Sequence, residues 1–312
     1  MKVLIVCSGN STNFDFSMHQ AFIYDQIQAI DQLNCNVEFD YFFIKGKGIF
    51  GYLSNLKKLK SLISEKKTDI VHAHFALSGL LANIQRNKPV LTTFHGSDIN
   101  NLKSRIISFF VGKLNNKSIY VSQNLIDLAM LINNRKTYMI PCGVDFNVFK
   151  PMETTKIKEK WDIKDDKKYI LFSSSFNNPV KNYNLLREAV GLLNNITIEV
   201  IELVNKTRED VAELMNVVDV CVMTSFSEGS PQFIKEAMAC NVPIVSTDVG
   251  DVKEVIRGVE GCYISSNDTK DVAEKIMMAF AFNNKTNGRE RIKQFDNKKI
   301  AKKLITLYKK MI

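Results

Sequence analysis

The sequence predicts an α/β protein built from two doubly wound units. Three observations predict it. The chain has 312 residues, about two domains at roughly 150 residues each. Short apolar runs alternate with helical ones along nearly all of it. One irregular stretch, Pro141 to Pro151, interrupts the alternation near the middle and reads as a linker.

The elements follow in order. The first half reads as strand Lys2–Cys7, helix Ser17–Leu33, strand Val37–Ile44 and helix Tyr52–Ile63. Strand Asp69–Ala73, helix Leu77–Ile84, strand Pro89–Phe94 and helix Arg105–Leu114 come next, then strand Ser118–Val121, helix Gln123–Ile132 and strand Thr137–Ile140. After the linker the pattern restarts with strand Lys168–Ser174, helix Tyr183–Leu193, strand Ile196–Ile201, helix Arg208–Val217 and strand Val218–Met223. Helix Pro231–Cys240, strand Pro243–Ser246, helix Val252–Arg257, strand Cys262–Ile264 and helices Asp271–Phe282 and Lys298–Met311 complete it. Strands this short and this apolar are buried on both faces, which means parallel sheets covered by helices. Ligands of such sheets bind beyond the carboxyl ends of the strands. Two facing units would line a cleft with the loops Ser8–Phe16, Phe94–Asn100, Ser173–Asn182 and Thr224–Pro231.

Composition narrows the class. The 45% hydrophobic and 24% charged fractions are those of a globular chain, which excludes disorder. No apolar run approaches the ~18 residues of a spanning helix, and Val3–Cys7 is too short for a signal peptide, so a cytoplasmic protein is expected. The six cysteines form no C-x-x-C pair and are expected as buried free thiols. The net charge of +9 favours an acidic partner: a nucleotide, an anionic membrane or a nucleic acid. Seven Lys and one acid lie between Lys45 and Lys67. There Leu53, Leu56, Leu59, Leu62 and Ile63 form an apolar stripe beside Lys57, Lys58 and Lys60, read as an interfacial membrane helix or an ordinary domain helix; attraction of the Lys face to a membrane needs no insertion, so both can hold. No nucleic-acid module is recognisable, and the basic residues are not interleaved with stacking aromatics.

The most informative stretch is Ser225 to Ala239. Ser230 is placed to cap the coming helix and Pro231 to occupy its first position. The first-turn N–H groups would then face an anion, and Gly229 would let it come close. Glu228 and Glu236 should stand about 8–10 Å apart along the axis. That spacing suits two ends of one elongated ligand, or simply a capped helix with a solvated Glu at each end. His95 follows a strand and precedes Gly96, as a site residue or a satisfied structural one. Asp98 reads as a cap for the next helix, the favoured reading, or as a site residue. His72 and His74 have no metal-ligand partners at a suitable spacing, so no metal site is expected.

Glu228 and Glu236, followed by Ala237-Met238-Ala239 and by Pro243 to Gly250, resemble the E-x7-E segment of retaining glycosyltransferases. With Asp69 to His74, Thr93 to Asp98, Tyr120 to Ser122, Ile140 to Asp145, Phe149 to Pro151 and Lys181-Asn182 in the same order, nearly the whole chain resembles family-4 glycosyltransferases of the GT-B fold. The resemblance implies two Rossmann-like doubly wound α/β domains facing across a cleft: an acceptor-side domain 1–147 completed by the C-terminal helix 298–312, and a donor domain 148–297. It implies a nucleotide-sugar donor, with Glu236 on the ribose hydroxyls and Glu228 beside the hexose. Lys181 would lie on the diphosphate, the amides of Gly229, Ser230 and the segment past Pro231 against sugar or diphosphate, and His95 across the cleft. Gly9 would serve the first, donor-binding loop, and Asp98, if not the cap, would touch the acceptor. The activity implied is retaining transfer of a hexose to a glycan or lipid-linked saccharide, in which the donor phosphate takes the acceptor proton; a double displacement would instead make Glu228 a nucleophile.

Three departures stand out. Phe176 occupies the place of an expected Arg, with Arg187 or a backbone loop as substitutes. The first loop has only Gly9 where many relatives have two glycines. Asn241 stands where Gly is frequent. There is no D-x-D triplet, so no essential metal or other cofactor is expected. Partners would be donor, acceptor and an anionic inner membrane face, with no nucleic acid. A non-catalytic nucleotide-sugar-binding protein and a nucleotide-sugar epimerase are the alternatives.

Overall fold

The structure is a computed structural model, and it describes residues 1–129 and 136–312. The chain divides into two units, Met1–Gly143 with Asn297–Ile312, and Val144–Asp296. The division falls slightly ahead of the one read from sequence, at 143 rather than 147. Two local ties explain it. The Val144 amide donates to Phe295 O (2.8 Å), and the Arg289 guanidinium donates to Phe146 O (2.8 Å) and Ala239 O (3.0 Å). Residues from Val144 onward are thereby fastened within the second unit.

The first unit holds one parallel sheet of six strands: β1 (Lys2–Ser8), β2 (Glu38–Ile44), β3 (Ile70–His74), β4 (Val90–Phe94), β5 (Lys117–Tyr120) and β6 (Thr137–Met139). Their order is β2-β1-β3-β4-β5-β6. Helices cover both faces, so β1 reads as an unbroken apolar run, and wholly buried Leu4, Ile5 and Val6 contribute about 1.5–3 kcal/mol each. The terminal helix Asn297–Lys309 packs Ile300, Leu304 and Tyr308 against Ile23, Ile27 and Ile30 of this unit.

The second unit holds five parallel strands: β7 (Lys168–Phe172), β8 (Ile198–Ile201), β9 (Val220–Met223), β10 (Ile244–Thr247) and β11 (Cys262–Ser265). Their order is β11-β10-β9-β7-β8. From β7 the chain goes first to one side, to β8, and then to the other, to β9. Loops leaving β7 and β9 therefore diverge, which opens a crevice between them at their carboxyl ends.

Local differences from the sequence reading have local causes. The segment Ser17–Leu33 breaks at Gln20, whose backbone (φ −133, ψ 40) is not helical, into Phe16–His19 and Ala21–Asp31. The segment Tyr52–Ile63 begins earlier and breaks at Asn55, whose side-chain amide donates to Lys45 O and Gly51 O (2.8 Å each), giving Gly48–Leu53 and Leu56–Glu65. Its apolar stripe faces the sheet: Leu59 and Ile63 are buried beside Leu4, Ile44 and Val71. The ordinary-helix reading is therefore the correct one for that stripe. Helix Gln123–Ile132 is seen over Gln123–Leu128 with Ala129 as its C-cap, and positions 130–132 lie outside the described residues. Among the described residues no helix is long and apolar enough to cross a membrane. The six cysteines are free; Cys7, Cys142, Cys221 and Cys240 are buried, whereas Cys35 and Cys262 keep some exposure.

Candidate active site

Three loops of the second unit converge on residues 225–230. The loop after β9 is zipped to the loop after β7: the Phe226 amide donates to Val180 O (2.9 Å), and the Thr224 hydroxyl to Lys181 O (3.1 Å) and Asn182 O (2.9 Å). Asn182 turns the chain with a left-handed backbone, φ +52, a conformation that Asn tolerates. From β10, the Thr247 hydroxyl donates to Ser225 O (2.7 Å). Gly250, at φ +61, lies so close to the loop that a Cβ there would stand 2.7 Å from Gly229 O.

This convergence sets Lys181 against Glu228. Their Nζ and Oε1 atoms are 2.7 Å apart, and both side chains are largely buried. Lys181 and Glu228 are distant in sequence; the change of direction at β7 and β9 makes them neighbours. Glu236 lies deeper, 3% exposed, on the helix Gln232–Ala239. Its Oε1 is 2.6 Å from the Arg208 guanidinium, without the alignment of a hydrogen bond, so the attraction is mainly coulombic. Arg208 opens the helix Arg208–Val217 behind a Thr207/Asp210 capping box, and its guanidinium lies 4.6 Å over the Phe149 ring.

Ser230 and Pro231 differ from expectation. Pro231 is itself the N-cap (φ −66, ψ 123), and the helix starts at Gln232. Ser230 cannot cap because its hydroxyl is taken: it donates to Asp251 and accepts from Lys235. Lys235 is wholly buried, 3.6 Å from Asp251 and 4.8 Å over the Phe295 ring. Two adjacent charges, Lys235 and Glu236, set between Phe233-Ile234 and Ala237 were a signal in the sequence, since buried charges must be paired. Phe176, at the place of the expected Arg, stacks on Tyr183 (3.8 Å, 19°) and leans on Phe172. Arg208, the first residue of the helix that follows β8, brings a guanidinium to Glu236 instead, and the sequence reading passed over it. Asn241 adopts φ +59, as a left-handed helix end requires.

In the first unit, β3 is central, so both of its histidines are buried. They sit two residues apart and so on one face, with ring centroids 4.3 Å apart. His72 contacts the Tyr308 hydroxyl and the Thr93 hydroxyl (2.7 Å each). His74 Nδ1 meets His95 Nε2 at 3.0 Å. His95 Nδ1 faces Cys142 Sγ at 3.9 Å, and its ring lies 4.7 Å from those of Phe22 and Phe75. Loss of hydration holds His72 neutral, with its pKa down to about 3, and pulls His74 well below the usual range. His95 moves the same way, first by desolvation and then by His72, though it keeps a partly exposed edge. Asp98 caps the turn through the His95 and Gly96 amides (3.1 and 3.0 Å), and burial raises its pKa to about 6. Gly9 packs against β2: its amide donates to Ile44 O (2.9 Å), Lys45 covers its carbonyl, and a Cβ would meet Phe43 at 2.8 Å. No cluster of three or more His, Cys, Asp or Glu suited to a metal occurs among the described residues.

Comparisons with known proteins agree with this architecture. Residues 5–148 match the family model described as Glycosyltransferase Family 4, and residues 177–281 match Glycosyl transferases group 1. An uncharacterized glycosyltransferase of Methanocaldococcus jannaschii is 30% identical over 259 residues, covering 75% of this chain and 71% of that protein. Sucrose-phosphate synthase of Thermosynechococcus elongatus superposes with a TM-score of 0.82 at 16% identity, over 99% of this chain and 98% of that one. Anabaena HepE in complex with UDP-glucose gives 0.74 at 16% identity, over 99% and 100%.

Proposed function

The chain belongs to glycosyltransferase family 4 and has the GT-B type of fold, and from that premise we propose a retaining, metal-independent hexosyltransferase. It would move a sugar from a nucleotide-diphosphate donor to a glycan or lipid-linked saccharide during cell-surface polysaccharide assembly. It would work in the cytoplasm, peripherally on the anionic inner face of the membrane. The observation that carries this reading is the Lys181–Glu228 pair, 2.7 Å apart, beyond the strands where the sheet changes direction. HepE, bound to UDP-glucose in its own structure, supports a nucleotide-sugar donor.

In the free protein Lys181 neutralises Glu228. An arriving diphosphate competes for the ammonium, and the leaving group gains most from it when charge builds on the scissile oxygen. Glu228 is then released beside the sugar, where its carboxylate steadies positive charge at the anomeric carbon. Glu236 accepts from the ribose hydroxyls, as a carboxylate can accept two at once. Arg208 moves from Glu236 to the anionic part of the nucleotide. The amides of Gly229, Ser230 and Gln232 serve the sugar and diphosphate, Pro231 having none to offer. His95, neutral and braced by His74, touches the donor sugar. The donor phosphate takes the acceptor proton on the face of departure, which gives retention.

A thermal-shift screen of nucleoside diphosphates and nucleotide sugars tests this. A ligand at 100 times its Kd stabilises by about 2.7 kcal/mol. The matching nucleotide sugar raises Tm, and Glu236→Ala removes the rise. No shift with any nucleotide sugar, or a shift that survives Glu236→Ala, overturns the assignment. Slow donor hydrolysis that depends on Glu228 separates this reading from a non-catalytic sensor.

A further inference from the structure

The helix Leu102–Leu114 of the first unit is apolar on its outward side as well as on its inward one. Its inward side carries Ser104, Ile107, Ser108 and Val111, of which Ile107 and Val111 pack in the core. Ser108 is buried and donates to Asp98 O (2.6 Å) and Ser104 O (3.1 Å). Its outward side carries Leu102, Ile106, Phe110 and Leu114, which are 69%, 56%, 57% and 47% exposed. Residues four apart drift slowly around a helix, so these four form one continuous stripe. Large apolar groups along the outward side are the opposite of what a surface helix in water presents there.

The charge around the stripe is of one sign. From Ile99 to Ile126 there are four basic residues and no acid. Lys103 and Lys113 lie on the exposed side of the helix, and Lys113 Nζ rests 4.3 Å over the Phe109 ring. Apolar groups framed by long cationic side chains fit a surface that is oily beneath and anionic above. A second copy of the chain would instead bring two basic stripes together, a like-charge contact.

We propose that the outward face of Leu102–Leu114 docks on an anionic lipid bilayer. Leu102, Ile106, Phe110 and Leu114 enter the boundary between headgroups and acyl chains, and Lys103 and Lys113 meet lipid phosphates. This moves the membrane contact from the lysine-rich helix Leu56–Glu65, whose stripe is used up on the sheet, to a helix whose stripe is not. The lipid-linked acceptor gives the contact its purpose, and to that extent the inference rests on the proposed function; vesicles without acceptor test it alone.

The test is co-sedimentation of the full chain with vesicles of phosphatidylglycerol or of phosphatidylcholine. The protein should pellet with the anionic vesicles at low salt and far less with the neutral ones. The double change Ile106→Ser with Phe110→Ser should lower partitioning at least tenfold while donor hydrolysis in solution stays unchanged. Lys103→Gln and Lys113→Gln should each cost about fivefold at low salt. In Phe110→Trp, brominated acyl chains should quench emission from the new indole. The assignment is overturned if the wild type does not pellet, or if the double serine variant pellets like the wild type. It is also overturned if, without lipid, the chain forms a concentration-dependent dimer that the same two changes abolish. Absence of donor hydrolysis in the wild type would count against the proposed function and leave the docking face standing.

Discussion

The two units build the same kind of parallel sheet and fill its carboxyl end with opposite electrostatics. Beside β3 and β4, the first unit stacks three imidazoles held neutral by burial, among aromatic rings. Beside β7, β9 and β10, the second unit assembles cation–carboxylate contacts: Lys181 with Glu228, Arg208 with Glu236, and Lys235 with Asp251. The difference teaches that the scaffold dictates where side chains meet, and the loop residues dictate whether they meet as ions. A neutral cluster can place and orient; a set of ions can answer charge that develops elsewhere. Under the proposed function, acceptor-side and donor-side tasks would divide along that line.

The comparison can be broken from its charged side first. Glu228→Gln keeps the shape and removes the charge, so turnover should fall on the order of a hundredfold or more with little change in donor KM, measured as donor consumption; unchanged turnover would remove Glu228 from the chemistry. Lys235→Met leaves Asp251 without its cation and frees Ser230, which should cost about 3 kcal/mol in urea unfolding; a neutral outcome would show the buried ammonium to be dispensable.

The histidine side is sharpened by pH. The His72 and His74 pKa values lie below the unfolded value of about 6.5, so their native forms resist protonation. Stability is full above about 6.5 and is lost as pH falls below it, by about 1.4 kcal/mol per pH unit for each ring, down to about 3 in the case of His72. Asp98 works in the opposite sense up to about 6, since its raised pKa favours the protonated native form, but it is one group against several. Trp161, the single tryptophan, lies in the second unit. Between pH 6.5 and 4.5 the urea transition seen by circular dichroism should therefore move down further than that seen by Trp161 emission. Equal movement would erase the proposed contrast. Smallest of all, Gly250→Ala forces φ +61 on an alanine and presses its methyl on Gly229 O; a loss of about 1 kcal/mol is expected, together with weaker donor binding, readable by thermal shift.

Most of the strand order of elements was legible because β1, β3, β4, β7, β9 and β10 are short apolar runs, buried on both faces. The helix Arg208–Val217 was legible to the residue because Thr207 and Asp210 form a capping box. What failed was local competition for polar groups. Ser230 has the chemistry of a cap, but Lys235 and Asp251 reach its hydroxyl first. Asn55 cuts a periodic helix by bonding the preceding carbonyls. Arg208 escaped notice because its partner Glu236 is 28 positions away in the chain, and no periodicity reports a meeting made by sheet order. The stripe Leu56–Ile63 and the stripe Leu102–Leu114 look alike as text; only burial tells which one is spent.

The prior engagement of Lys181 and Arg208 has a consequence for what the empty protein ignores. A cavity with bare cations would soak up any phosphate in the surrounding fluid. Under the proposed function a donor would have to displace both resident carboxylates at once, which a small lone anion would do poorly. The resting pairs would then favour a guest long enough to reach both.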